Sequence, residues 1–152
     1  MSKIDELVQA RPDAIQIGKP CSQDLVNAAQ QSLALAFPKS LQDFLMTRGW
    51  VCIGSWEVYG LQSNIDDIEQ QELVRESRRY FAKTGQRAVV VSSDGGEYVF
   101  VLSASNENVV EDVVRACDSH HGEEDDGWPT GLTFLEFIES LCDKASTSTE
   151  ES

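Results

Sequence analysis

Apolar residues recur at helical spacing in five stretches of the chain and crowd into strand-like runs in two others. Ile4, Leu7 and Val8 stand at i, i+3 and i+4 behind Ser2, a good capping residue, and predict a short amphipathic helix. Pro12 and Pro20 then break the pattern. Ser22 is placed to cap a second helix that buries Leu25, Ala29 and Leu33. Pro38 suits the first turn of a third, with Leu41, Phe44 and Leu45 on one face and Gly49 as its stop. Residues 50–61 are β-branched and aromatic and predict two short strands turning at Gly54-Ser55. Asn64 is placed to cap a helix over Ile65, Ile68 and Leu73, reaching Tyr80 and Phe81.

Two nearly continuous apolar runs, 88–93 and 97–102, flank Asp94-Gly95-Gly96 and predict a β-hairpin, with positive φ at the glycines. Residues 107–118 fit both periods: Val109, Val110, Val113, Val114 and Cys117 have helical spacing, while the valine content favours a strand. The closing helix is well marked. Thr133 and Glu136 form a capping box, and Leu132 and Phe137 a hydrophobic staple. The order of elements, with helices and strands in runs rather than strict alternation, predicts an α+β fold. We expect a single domain over 1–144, with one curved, mostly antiparallel sheet packed against helices, and a disordered Ser/Thr/Glu-rich tail over 145–152.

Charge narrows the function. The chain's 152 residues carry 26 acids and 12 bases, a net charge of −14. That opposes nucleic acid as a direct partner, because phosphate binding needs Lys and Arg to displace counterions. It opposes anionic membrane surfaces too. No apolar run approaches the ~20 residues of a spanning helix. Residues 1–6 lack the basic-then-apolar pattern of a signal peptide, and a cytoplasmic location is expected. Cys21, Cys52, Cys117 and Cys142 are widely spread without a CxxC, and read as small core hydrophobes in a reducing compartment.

Half of the net charge sits on residues 107–126, where eight acids face Arg115 alone. One reading is a solvated, solubilising loop. The other is an acidic surface that meets a basic protein, gaining association rate and rejecting like-charged competitors. Its candidate contacts are Glu111, Asp112, Asp118, Glu123, Glu124, Asp125 and Asp126, with Trp128 either an aromatic anchor or a local cover beneath Pro129.

Chemistry-bearing constellations are sparse. Cys117-Asp118-Ser119-His120 has the spacing of half a zinc site, but no second pair completes it. Nothing holds His120 or His121 beside a nucleophile. Gly95-Gly96 opens a strand rather than a helix and lacks the Gly-Lys-Ser/Thr of a phosphate cradle. No catalytic, metal or cofactor residues are assigned, and a non-enzymatic role is expected.

Four blocks in order resemble the SUKH superfamily. Phe37-Pro38-Lys39-Ser40-Leu41-Gln42-Asp43-Phe44-Leu45, closed by Gly49, is similar to its opening Leu-Pro-x-Ser-Tyr-x-x-Phe-Leu helix. Leu41 stands where tyrosine is usual, and Arg48-Gly49-Trp50 replaces Asn-Gly-Gly. Tyr59-Gly60-Leu61, the hairpin at Asp94-Gly95-Gly96 and Thr133-Phe134-Leu135-Glu136-Phe137-Ile138 resemble the later blocks, across residues 25–142. The resemblance implies one curved sheet against helices, a strand near Val113–Cys117, and function without catalysis. Bacterial members are typically immunity proteins that block toxins, often nucleases, while a eukaryotic branch regulates cell-wall assembly through protein contacts. It implies a cognate toxin as partner, basic if a nuclease, with a regulatory module lacking a toxin as the alternative. Oligomeric state and the identity of the toxin are left open.

Overall fold

The computed structural model describes residues 2–96, 98–105, 108–118 and 128–147. Chain order begins with α1 (Lys3–Ala10), β1 (Ile15–Ile17), α2 (Gln23–Leu33), α3 (Lys39–Thr47), β2 (Val51–Ile53) and β3 (Trp56–Val58). It continues with α4 (Glu72–Thr84), β4 (Ala88–Ser93), β5 (Tyr98–Ala104), β6 (Val110–Asp118), the two-residue β7 (Trp128–Pro129) and α5 (Phe134–Thr147). The expected α+β fold is the observed one. The strands form one curved antiparallel sheet in sequence order, β1 to β7.

Local signals account for much of this. Ser2 Oγ accepts from Asp5 N (3.3 Å) and Ser22 Oγ from Leu25 N (3.2 Å), which satisfies first-turn amides of α1 and α2. The capping box at α5 is reciprocal: Glu136 N donates to Thr133 Oγ1 (3.2 Å), and Thr133 N to Glu136 Oε1 (3.0 Å). Gly54 has a φ of +61°, as a II′ turn needs at its first position, and Gly54-Ser55 joins β2 to β3. At the β4–β5 turn Gly95 alone of the two glycines takes a positive φ. Asp94 Oδ1 accepts from Gly96 N (3.0 Å) and Tyr98 N (3.2 Å), so the aspartate side chain organises that turn.

The structure departs from the sequence expectation in three places and settles as strand the alternative left open for 107–118. The Pro12–Pro20 break holds β1, an edge strand paired with β2. Residues 107–118 resolve as strand from Val110 onward, where β-branched side chains suit a buried ladder. The helix expected from Asn64 begins instead at Glu72, after a short 3-10 turn over Ile68–Gln70. Gln71 explains the delay. Its fully buried amide accepts from Gln62 N (2.8 Å) and donates to Gln62 O (2.8 Å) and Ile65 O (3.1 Å), holding 62–65 as a loop. At the other end of the chain, α5 runs on to Thr147, into the segment expected to be a tail, and 148–152 lie outside the described residues.

The sheet has two unlike faces. On one, α5 packs over β2, β6 and Phe100, and α3 and α1 pack on α5. Phe44 and Phe134 meet edge to face at 5.3 Å, and Phe100 stacks on Phe137 at 5.0 Å and on Trp56 at 5.3 Å. On the other face lies α4. Its Ser77 Oγ accepts from Val90 N (2.9 Å) at the β4 irregularity, and Tyr80 Oη lies 3.4 Å from Cys117 Sγ. At the edge of the sheet, the backbones of 18–19, 49–50 and 60–61 cross. Leu61 N donates to Gly49 O (3.1 Å), and any Cβ at Gly60 would collide with that carbonyl, so the Tyr59-Gly60-Leu61 block is steric in origin.

Candidate functional site

Neighbours on a strand point to opposite faces, and this divides the acids of β6. Asp112 shares its face with Val114, towards α5. Its carboxylate accepts from Phe134 N (2.8 Å) and Ser40 Oγ (3.0 Å), so it tethers the start of α5 to α3. Glu111 is exposed on the opposite face, the side of Cys117 and Tyr80. Asp118 is half-buried at the far end of β6, ~20 Å from Asp112 at strand rise. The structure therefore does not bring Glu111, Asp112 and Asp118 together. Glu123, Glu124, Asp125 and Asp126 lie outside the described residues. The backbone of Trp128 pairs with Ala116 in β7, while the anchor role expected of its side chain lies outside what is described.

A different acidic group does assemble. Register places Gln16, Cys52, Glu57 and Ser93 in one cross-strand row of β1–β4. Ile15, Ile53 and Trp56 form the adjacent row, which turns to the aromatic core. The Glu57 row therefore faces the α4 side. There the first turns of α4 bring Glu72 and Glu76, four residues apart on one helical face. Gln16, Trp50, Cys52, Glu57, Gln62 and Glu72 border a hollow of about 200 Å³. Burial first, then Glu57 and Glu76, push the Glu72 carboxyl above its ordinary value, against the pull of Arg75. Burial, with Glu76 next, lifts the Tyr59 hydroxyl to about 12. The Cys52 thiol is likewise raised by burial and by Glu57 and Glu72, which makes it a poor nucleophile at neutral pH.

These shifts describe carboxylates held close in a partly dry place. Arg75 and Arg79 flank them loosely, at 3.7–3.8 Å and 3.4 Å. The carboxylates of the α1–α5 surface differ, because Lys3 sits among them with Asp143 at 2.9 Å. The hollow can thus hold an incoming cation, and its groups are not arranged to activate a nucleophile. Sequence reasoning missed it. Glu57 is legible from the two-residue turn, which sets it opposite Cys52, but nothing local foretells that Glu72 folds over it.

Among the described residues, no three His, Cys, Asp or Glu side chains converge as a metal site. Cys117 is buried beside Tyr80, and His120 and His121 lie outside the described residues. No described helix is long and apolar enough to cross a membrane.

An in-order antiparallel meander, covered by α1, α3 and α5 on one side and by α4 on the other, defines a small α+β module with an acidic hollow beside α4. A family model described as SMI1-KNR4 cell-wall matches residues 2–142, and the chain belongs to this SUKH family. No curated protein matches it significantly. The family is generally one of non-catalytic immunity or regulatory proteins.

Proposed function

We propose that this chain is a non-catalytic immunity protein that binds a cognate toxin, with a basic nuclease surface as the target, through its acidic side. The observation that carries the reading is the convergence of Glu57, Glu72 and Glu76 on the sheet face that α4 leaves partly open. Like charges held together raise one another's energy, and a cationic surface relieves that cost on binding. Glu111 is exposed on the same side of the sheet. It joins the proposed contact with Glu123 through Asp126, whereas Asp112 is engaged in holding α5 and Asp118 shares Asp112's face of β6. In the cytoplasm, fast steered association would matter, because the target is already inside the cell.

The family's cell-wall description favours a second reading, a regulatory interaction module without a toxin. One experiment separates them. The protein encoded directly upstream is expressed with and without this chain, and host survival is scored. Protection that is lost when Glu57, Glu72 and Glu76 become lysine supports the immunity reading. No toxicity from that neighbour, or no protection, favours the regulatory one.

A further inference from the structure

Along α4 the sequence changes sign. Between Ser77 and Ser93 the chain holds Arg78, Arg79, Lys83 and Arg87 and no acid, although its net charge is −14. Beside them runs a groove of about 450 Å³. Leu33 and Leu35 line it from the end of α2, Phe81 from α4 and Ala88 from the start of β4, with Arg78 and Arg87 as polar walls. Phe81 is 50% exposed, although the other aromatic residue of α4, Tyr80, is buried.

The two walls differ. Arg78 pairs with the Glu69 carboxylate and also donates to Ser32 O (2.7 Å). Arg87 donates to Leu33 O (3.0 Å), Ala34 O (2.8 Å) and Asn108 Oδ1, all neutral acceptors. Its charge is fixed in place by these bonds without being cancelled by them. Apolar floor and fixed cation together call for a ligand with both a large apolar side chain and carboxylates.

We infer that the α2–α4 groove docks an acidic segment of another protein, which inserts one large apolar side chain against Phe81. A second copy of this chain is disfavoured, because two bodies of net charge −14 repel. Nucleic acid meets the same repulsion over its length, whereas a short peptide senses only charges within a Debye length of ~8 Å. The groove is separate from the acidic hollow: Phe81 lies nine residues beyond Glu72, ~14 Å along the helix. It does not depend on the toxin reading.

The test uses the full chain and a fluorescent peptide with one tryptophan among glutamates, with a lysine-for-glutamate peptide as control. Binding of the acidic peptide alone is expected at low salt. Phe81→Ala should weaken it about tenfold, as loss of an apolar anchor does. Raising the salt from low to high ionic strength should weaken it about threefold. The Phe81 side chain is half exposed, so the melting curve of its variant should match the unmodified chain. Absence of binding, equal binding by the Phe81→Ala variant, or equal binding of the lysine peptide would overturn the proposal. So would self-association abolished by Phe81→Ala, or a single-stranded oligonucleotide that binds in the peptide's place.

Discussion

The α5 side and the α4 side of the sheet solve different problems with the same residue types. Phe134, the first residue of α5, is fully buried, edge to face with Phe44, whereas Phe81 on α4 is half exposed. Asp5 on α1 accepts from Arg48 at 2.9 Å, and that bond holds its carboxyl below the ordinary range. Glu72 on α4 is pushed the other way, by burial and by Glu57. The first side packs its aromatic rings together and pairs Asp5 and Asp143 with bases. The other leaves Phe81 half exposed and crowds Glu72 against Glu57 and Glu76. The ring-on-ring packing lies on the first side.

Truncation should expose this contrast most strongly. Phe134→Ala should cost about 3–5 kcal/mol in urea unfolding, through lost burial and a cavity, while Phe81→Ala should stay within about 0.5 kcal/mol. Equal effects would remove the distinction between the sides. Next is Gln71→Ala, which strands buried backbone groups of the 62–65 loop and should cost about 1–3 kcal/mol. Amide exchange at Gln62 N should rise with it. Asp112→Ala removes the acceptor of Phe134 N and should cost about 1 kcal/mol, with fraying confined to the first turn of α5. No change in protection there would show that Asp112 is free for another role.

The smallest effect is in the pH dependence. Glu72 has a raised folded pKa, so its contribution is fully present below the unfolded value and is lost as pH rises through the folded one. Asp5 has a lowered folded pKa, so its contribution is present above the unfolded value and is lost as pH falls through the folded one. Glu72→Gln should therefore gain on the unmodified protein as pH rises from about 4 towards 7, whereas the deficit of Asp5→Asn should be constant there and shrink only as pH falls below about 4. Parallel stability curves for the two variants would contradict the assignment of Glu72 to a crowded, partly dry site.

Legibility in the sequence follows the range of the interactions. Ser2, Ser22 and the Thr133–Glu136 box act within one helical turn, and all three caps form as read. The Gly54-Ser55 and Asp94-Gly95 turns are equally local. β1 escaped notice because three residues between two prolines carry almost no periodicity, and pairing with β2 supplies what propensity does not. Asn64 looked like a cap because Gln71, seven residues on, holds the loop only once it is buried. The acidic run at 107–126 was conspicuous as composition. Strand alternation, which composition does not register, sends Glu111 and Asp112 to opposite faces. The hollow needs Glu57 from a strand and Glu72 from a helix, and their meeting is tertiary.

Affinity for the protein encoded directly upstream, titrated at low and high salt, tests the immunity reading most directly. With Glu57, Glu72 and Glu76 all changed to glutamine, we expect binding to fall about tenfold or more and much of the salt dependence to vanish. An unchanged constant, with its salt slope intact, would place the contact elsewhere on the molecule and contradict the account.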